Sequence, residues 1–295
     1  MAMDGILNIL KPPGMTSHDV VSCIRRLTGI KQCGHTGTLD PGAAGILPVC
    51  VGNATRVSEY VLEMDKTYRA QLSLGSATDT EDASGRVISK MEIPPLNESD
   101  ISHILQQFVG RTSQVPPMYS AVRRDGVRLY ELARRGETVS REPRQITIYR
   151  LKLLALAGNK LFFDVVCSRG TYIRTLCTDI AVRLGTCGHM SFLLRTAVGP
   201  FVLNNSYTLE EIAGLQDDGC LDTAFLPLDT ALHQYPSFLA TPAQAVSIIH
   251  GRAITSGADY PEGLPIRVYS TDGIMLAVAY QSEGMLKPKK VFITG

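Results

Sequence analysis

The stretch GHTGTLDPG, residues 34–42, surrounds one histidine and one acid with three glycines and a proline. Glycine permits left-handed backbone angles and lets a ligand approach the main chain closely, and an acid before proline is pushed towards an extended or turn conformation. The stretch therefore predicts a loop, and loops on rigid scaffolds often carry function. His35 and Asp40 become candidate site residues. The alternative is a tight turn in which Asp40 bonds its own backbone.

Helices and strands are predicted on both sides of this loop. Capping residues predict three helices, which lie between Thr16 and Gly29, between Asn97 and Gly110, and between Thr171 and Gly185. Alternating, β-branched and aromatic residues predict strands at 68–74, 145–153 and 161–167. Because strands occur in adjacent pairs as well as between helices, the pattern favours an α+β fold with a mixed sheet over a simple βαβ repeat.

The composition changes towards the C-terminus. Residues 207–236 carry six acids and no lysine or arginine. Beyond them, Thr241-Pro242 predicts the start of a short helix. Short apolar runs follow at 265–270, 274–280 and 290–293, with Asp272-Gly273 as a hairpin turn. We therefore expect two domains, 1–235 and a small, mostly β domain at 236–295.

The composition also excludes several classes of protein. The 295 residues are 44% hydrophobic and 19% charged, which is typical of a globular chain. No run of about 18 apolar residues predicts a membrane span, and the first ten residues lack the features of a signal peptide. The seven cysteines lie at least ten positions apart, which suits neither a zinc site nor a disulfide framework. We expect free, mostly buried thiols, no metal and a cytoplasmic location.

A net charge of +1 means that any nucleic-acid surface must be local. Residues 111–150 hold nine arginines, no lysine and four acids, a net charge of +5. Arginine binds phosphate and stacks on bases, and tyrosine adds stacking surface. The alternative is a solvated charged face. Arg174, at the start of a predicted helix, is a further candidate because it could pair with a loop carboxylate, although most arginines are solvated.

Seven separated motifs, in this order, resemble the TruB-type tRNA pseudouridine synthases. They are GILNILKPPGMTS (5–17), GHTGTLDP (34–41), DKTY (65–68), TDTEDASG (78–85), QVPPMYSA (114–121), GTYIR (170–174) and RTAVG (195–199). The likeness extends from about residue 3 to 205, and the end of the chain only suggests the small PUA-like RNA-binding domain of many members. The resemblance implies the pseudouridine synthase fold, a mixed β-sheet catalytic core flanked by helices, with a mostly β PUA-like domain.

The resemblance also implies a reaction: isomerisation of the uridine at position 55, in the T-loop of tRNA, to pseudouridine. It implies that the T-arm of tRNA is the partner. It implies no cofactor, no metal, no membrane and no obligatory protein partner. Asp40 is then the nucleophile, Tyr68 stacks on the base and takes part in proton transfer, and Arg174 pairs with Asp40. Tyr172 is expected beside that pair.

The remaining residues are implied as substrate contacts. His35 is expected to touch the flipped-out nucleotide, and Leu193 to pack against the base. Residues 116–144 would form a loop that clamps the T-arm. The other expected RNA contacts are Lys66, Asp82, Tyr119, Arg123, Arg124, Arg128 and Arg141.

Elementary chemistry is compatible with these roles. The isomerisation needs no redox step, so one ionised carboxylate suffices as nucleophile. Flipping a base costs a few kcal/mol, and stacking on one aromatic returns about 1–3 kcal/mol, so phosphate contacts must supply the remainder. Two alternatives stay open. A non-catalytic RNA chaperone would need the arginines but not Asp40, and a hydrolase using His35 and Asp40 as an acid–base pair would leave the arginines without a role.

Overall fold

The computed structural model describes residues 4–292. Residues 1–3 and 293–295, which the two predicted domains include, lie outside the described residues. The α-helices are α1 (Ser17–Thr28), α2 (Ser58–Glu63), α3 (Glu98–Gln106), α4 (Leu129–Arg134), α5 (Ile173–Arg183), α6 (Leu209–Asp217) and α7 (Pro242–Ile249). Short 3-10 helices occupy Gly52–Val57, Leu203–Asn205, Leu221–Ala224 and Leu228–Leu232.

The strands form two larger sheets and two small hairpins. In chain order they are β1 (Gly5–Lys11), β2 (Cys33–His35), β3 (Ala44–Val51), β4 (Lys66–Leu74), β5 (Ser76–Thr78), β6 (Val87–Lys90), β7 (Gly110–Gln114), β8 (Arg123–Arg124), β9 (Val127–Arg128), β10 (Arg144–Ala157), β11 (Lys160–Cys167), β12 (Gly188–Val198), β13 (Phe201–Val202), β14 (Phe225–Leu226), β15 (Ser237–Leu239), β16 (Ile254–Thr255), β17 (Ile266–Tyr269), β18 (Met275–Ser282) and β19 (Met285–Val291).

The main sheet has the strand order β14-β1-β3-β12-β4-β11-β10-β7, with β13 beside β12 and β2 beside β3. Its pairs are antiparallel except for β3 with β12, which run parallel. The prediction of an α+β fold with a mixed sheet is confirmed. At the parallel junction, Gly45 lies against the main chain of Arg195, and a Cβ there would overlap it. Only glycine permits so close an approach, and its φ of 122° also favours glycine.

Helices cover this sheet because apolar stripes need burial. The helices α3 and α5 pack their buried side chains, such as Leu105 and Leu176, on the part of the sheet around β4 and β11. On the other side of the fold, α1 packs against β1 and β3. Adjacent residues of β1 alternate between two clusters, since Leu7 contacts the α1 side and Ile6 the side of α2. Each fully buried aliphatic side chain contributes about 1.5–3 kcal/mol.

The predicted helix ends are confirmed for α1 and wrong in two other places. Thr16 caps α1 in a reciprocal capping box, and Gly29 ends it in the left-handed conformation. The helix α3 ends at Gln106, and Gly110 instead starts strand β7. Thr171 does not cap α5, because its hydroxyl donates back to the carbonyl of Ser168. The N-cap residue of α5 is the next one along the chain.

The last strands of the described residues form a second sheet, with the order β15-β17-β18-β19-β16. The apolar run at 290–293 overlaps the end of β19, which pairs with β18 from Met285 onward. This sheet lies against α2, where the ammonium group of Lys290 is 2.9 Å from the carboxylate of Glu59. The hydroxyls of Tyr60 and Tyr280 lie 3.3 Å apart in the same contact. The division into two domains at residue 235 stays a prediction.

Within residues 4–292, no helix is long and apolar enough to cross a membrane.

Five of the seven cysteines are buried, as expected for structural thiols. Burial raises the pKa of Cys50 and Cys167 to about 12, which keeps both thiols protonated.

Candidate active site

The loop that carries Asp40 joins β2 to β3 and is fixed at both ends. The main-chain N–H of Leu39 donates to the hydroxyl of Ser17 over 2.9 Å, and that hydroxyl donates back to the Leu39 carbonyl over 3.2 Å. The main-chain N–H and the hydroxyl of Thr36 both donate to the carbonyl of Pro48, each over 3.1 Å. The Asp40 carbonyl accepts from the N–H of Ala43 over 3.0 Å. These bonds fix the main chain of the turn, and the Asp40 side chain that it carries is partly exposed.

Arg174 holds that side chain. Its Nε lies 2.9 Å from one Asp40 carboxylate oxygen, and an Nη group donates to the other oxygen over 3.3 Å. The Arg174 side chain is 5% exposed and that of Asp40 is 35% exposed. The same guanidinium donates to the main-chain carbonyls of Tyr119, over 2.8 Å, and Thr80, over 3.2 Å. A buried, fully bonded cation thus presents a carboxylate that solvent can reach, and the idea of a solvated Arg174 is wrong.

The first turn of α5 is positioned by a glutamine from β7. The Gln114 side chain accepts from the N–H of Tyr172 over 2.8 Å and donates to its carbonyl over 3.0 Å. This reciprocal pair fixes the N-cap residue of α5, which has no side-chain cap, and so positions Arg174 two residues further on. Tyr172 is half-buried two positions before Arg174, and its expected place beside the pair stays a prediction.

Tyr68 lies on β4 with Leu193 and Arg195 opposite it on β12. Tyr68 is the direct cross-strand partner of Arg195, and Leu193 is the partner of Ala70 on the same face. Tyr68 is 9% exposed and Leu193 is 7% exposed. Both belong to the buried cluster that includes Leu39 of the loop. Burial raises the pKa of Tyr68, the charge of Arg195 lowers it, and the charge of Asp40 is among the groups that raise it. Tyr68, Leu193 and Asp40 therefore share one region.

His35 ends β2 just before the loop and is half-buried. Burial lowers its pKa, and the charges of Arg195 and His18 lower it further, so its ring is neutral at pH 7. Its Nδ1 is buried without a hydrogen-bond partner in the described chain. No hydrogen bond links His35 to Asp40 in that same range, which disfavours the acid–base pair of a hydrolase.

Two of the expected substrate contacts, Lys66 and Asp82, also make hydrogen bonds within the fold. The ammonium group of Lys66 donates to the carbonyls of Leu62, over 2.6 Å, and Met64, over 2.5 Å, at the end of α2, and the residue is 7% exposed. Such a contact stabilises a helix C-terminus. The Asp82 carboxylate accepts from both the N–H and the hydroxyl of Ser84, over 2.9 and 2.6 Å, and so closes its own turn. These bonds give both side chains a role in the fold, and their expected RNA contacts stay predictions.

The predicted clamp at 116–144 contains the β8–β9 hairpin and α4. Asp125 and Gly126 form the hairpin turn, and both have positive φ, at 50° and 83°. The guanidinium of Arg128 donates to the hydroxyl of Tyr130 over 2.8 Å and lies 5.8 Å from its ring centre. Arg134 lies over the same ring at 5.4 Å. The clamp thus exposes charged groups next to an aromatic ring, as RNA contact requires.

The other clamp residues divide by exposure. Arg123 and Arg124 are exposed and donate to main-chain carbonyls of Gly126 and Ser140. Arg141 is half-buried and donates to the Pro116 carbonyl over 3.1 Å. The Tyr119 carbonyl accepts from Arg174, so the base of the clamp contacts the arginine that holds Asp40.

Sequence reasoning missed Lys11 and Arg195. Both are among the largest fully buried side chains. The Lys11 ammonium donates to the carbonyls of Met15, over 2.7 Å, and Pro41, over 3.3 Å, and so fastens the residue after Asp40. Burial lowers the pKa of Lys11 to about 8. The available signal was a cation inside an otherwise apolar strand pattern, in GILNILK and in LLRTAV.

Among residues 4–292, no group of three or more His, Cys, Asp or Glu side chains is arranged to hold a metal ion. The side chains that converge at Asp40 are instead cations and aromatic or apolar groups. The site thus places one accessible carboxylate near an aromatic ring, which suits a substrate with a planar base.

The fold and the site together define a pseudouridine synthase. The chain superposes on a chain of the solved Cbf5-Nop10-Gar1 complex with a TM-score of 0.80 and 26% identity, covering 100% of this chain and 87% of the other. A chain from the solved H/ACA RNP bound to a substrate RNA shares the fold, with a TM-score of 0.78 and 24% identity, and the match covers 99% of this chain and 86% of that one.

The particular family follows from two further matches. Residues 25–173 match the N-terminal domain of the TruB family pseudouridylate synthases, and residues 174–233 match the tRNA pseudouridylate synthase B C-terminal domain. The tRNA pseudouridine synthase B of Caldanaerobacter subterraneus subsp. tengcongensis is 43% identical, covering 99% of this chain and 100% of that protein. The protein of the same name from Symbiobacterium thermophilum is 49% identical over 85% of this chain and 83% of its own. The chain belongs to the TruB family.

Proposed function

We propose that this protein isomerises uridine to pseudouridine at position 55, in the T-loop of tRNA, with Asp40 as the nucleophile. Membership of the TruB family supports the reaction. The observation that carries the residue assignment is the contact between the buried Arg174 guanidinium and the accessible Asp40 carboxylate, at 2.9 Å. Aspartate side chains are ionised at neutral pH, and a fixed guanidinium orients the attacking oxygen.

The reaction balances without a cofactor. The N1–C1′ bond breaks, the base turns, and a C5–C1′ bond forms in its place. The proton on C5 leaves, N1 takes up a proton, and the base keeps its atoms and its oxidation state. Asp40 supplies an electron pair that stabilises the detached state. Tyr68, on the same side of the fold, is the group proposed to stack on the base and to move a proton.

Two other side chains would complete the nucleotide pocket. Leu193 lies in the same buried cluster as Tyr68 and would pack against the base. His35 is neutral and half-buried, and it would contact the flipped-out nucleotide. Flipping costs a few kcal/mol, and stacking on Tyr68 returns about 1–3 kcal/mol.

The clamp supplies the remaining binding energy. Of its expected RNA contacts, Arg123, Arg124 and Arg128 are exposed, while Tyr119 and Arg141 line its base. Phosphate contacts of this kind are salt-sensitive and independent of sequence, so we propose that the shape of the T-arm selects the substrate. Because one chain holds both the candidate catalytic groups and the clamp, we propose that it acts in the cytoplasm without a protein partner. We also propose residues 236–295 as a separate PUA-like RNA-binding domain.

The activity is tested with T-arm RNA that carries tritium at C5 of uridine. Wild-type protein should release tritium to water, and release no higher than in a blank would contradict the proposed function. Asp40→Asn should keep RNA affinity within about threefold and lose turnover by about a thousandfold or more.

The matched control is Asp164→Asn, since Asp164 also accepts from an arginine, at 2.8 Å, but that arginine, Arg69, is half-exposed. It should leave turnover unchanged. If Asp40→Asn retained turnover, Asp40 would not be the nucleophile. If the wild type refolded tRNA but released no tritium, and Asp40→Asn refolded it equally well, the non-catalytic RNA chaperone would be the correct reading.

A further inference from the structure

Arg195 is a buried cation without a buried counter-ion. The residue is 1% exposed, and no carboxylate of residues 4–292 lies within 4.0 Å of its guanidinium. Its Nε donates to the carbonyl of Ile46 over 2.6 Å, and an Nη donates to the carbonyl of Gly37 over 3.0 Å. It therefore connects β12 to β3 and to the loop that carries Asp40.

The backbone is shaped to bring this guanidinium to Tyr68. The two residues are direct partners across β12 and β4, and the register shifts immediately after Arg195, between it and Ala197. A bulge of this kind re-aims the side chain beside it and is frequent next to active sites. On the other side, Gly45 lets β3 approach the main chain of Arg195 as no other residue would.

A buried charge of this kind rarely serves stability alone. A cation removed from water is costly even when carbonyls bond it, and a hydrophobic side chain of the same volume is often the more stable choice. Strongly perturbed buried charges are instead typical of functional sites. Burial lowers the pKa of Arg195 itself, and its charge also lowers the pKa values of Lys11, Lys66 and His35 around it.

Two opposing influences act on the Tyr68 hydroxyl. Burial, Cys167 on β11 and Asp40 on the loop disfavour a negative charge there, and Arg195 favours one. Arg195 is the cation that faces Tyr68 across the β12–β4 pair. At short range inside a protein, such a charge acts far more strongly than it would in water.

We propose that Arg195 is a positioning residue of the reaction, which fixes the Gly37 turn and stabilises negative charge on the Tyr68 oxygen so that this oxygen accepts the C5 proton. The inference rests on the proposed function. For this step the phenol of Tyr68 must first have released its own proton to solvent. The C5–H bond then breaks and its electron pair restores the C5–C6 double bond, while the C6–N1 π bond gives its pair to N1, which takes up a proton. The C5 proton moves to the phenolate oxygen. The resulting phenol returns that proton to solvent before the next turnover.

The test combines a displaced charge with a more acidic phenol. Arg195→Lys keeps the positive charge but places it on a single nitrogen instead of a guanidinium, further from the Tyr68 oxygen. Tritium release should therefore fall by about tenfold to hundredfold at unchanged RNA affinity. Incorporating 3,5-difluorotyrosine at position 68, whose phenol loses its proton more readily, should restore most of that loss. Arg69→Lys is the matched control, because Arg69 is the next residue of β4, points to the opposite face and is half-exposed. Arg69→Lys should leave both tritium release and RNA affinity unchanged.

The pH profile gives a second readout. The rising limb of the turnover rate should move to higher pH in Arg195→Lys and back to lower pH with difluorotyrosine. A folded Arg195→Lys that is not rescued, or a limb that does not move, would overturn the inference. Loss of the fold in both Arg195→Lys and Arg195→Met would also overturn it, since Arg195 would then be structural only. Absence of tritium release by the wild type would instead contradict the proposed function, so the two failures are distinguishable.

Discussion

Replacing Arg174 by lysine tests the candidate site most directly. The guanidinium makes four contacts of 2.8–3.3 Å, two with the Asp40 carboxylate and one each with the carbonyls of Thr80 and Tyr119. A lysine keeps the charge, but one nitrogen cannot bridge both carboxylate oxygens and reach both carbonyls. At least two buried contacts are therefore lost.

The magnitude follows from burial. A hydrogen bond to a charged group contributes about 1.5–3 kcal/mol, and a buried carbonyl left unpaired costs about 1–3 kcal/mol. We expect Arg174→Lys to lower the free energy of unfolding by about 2–4 kcal/mol. Because the Asp40 oxygen loses its orientation, turnover should fall by about 100- to 1000-fold. Urea denaturation and single-turnover tritium release measure the two effects.

The control is again Arg69→Lys. Arg69 also binds a carboxylate through two contacts, at 2.8 and 2.9 Å to Asp164, but its side chain is 48% exposed. Exposed pairs contribute about 0–1 kcal/mol, so this variant should resemble the wild type in both assays. If Arg174→Lys lost no more than Arg69→Lys, the buried pair would not orient the nucleophile.

Three further predictions concern other groups. Tyr68→Phe should keep RNA affinity within about threefold, because the ring still stacks, whereas Tyr68→Ala should weaken it by about 1–3 kcal/mol in a filter-binding titration; equal affinities would exclude stacking. Arg128→Ala should weaken binding to all T-arm sequences alike and reduce the slope of log K against log salt by about 0.7–0.9, and an unchanged slope would remove Arg128 from the phosphate contacts. Burial lowers the pKa of Lys66 to about 8, below that of a lysine in an unfolded chain, near 10.4. The unfolded chain therefore binds more protons between these pH values, and Lys66 should make the native state more stable as pH rises through them. Urea midpoints should rise less with pH in Lys66→Met than in the wild type, and parallel profiles would contradict the shift.

Much of the local structure could be predicted from short-range patterns. The capping box of Thr16 and the glycine after α1 act within a few residues, so the sequence carries their whole signal. The expected ends of α3 and α5 were wrong. At α5 a distant partner contributes, because Gln114, from another strand, bonds both main-chain groups of Tyr172, the residue after Thr171.

The same distinction holds for the site. The loop with Asp40, the arginine-rich segment and the start of α5 stand out in the sequence because turns, charge runs and helix starts have local signatures. The structural roles of two expected RNA contacts, Lys66 and Asp82, have no such local signature. Nothing near Lys66 in the sequence shows that its charge faces the end of a helix, and Asp82 has the same residue type whether it binds a ligand or closes a turn.

By itself, the sequence determined which residues could do chemistry and that a mixed sheet would carry them, because periodicity, capping and residue type are properties of neighbouring positions. Only the tertiary structure decided that Arg174 is buried and bonded to Asp40 across 134 positions of the chain. It likewise decided that Arg195 faces Tyr68. The physical reason is that pairing across a sheet and loss of solvent depend on which distant strands become neighbours, and that choice is made by the packing of the whole core.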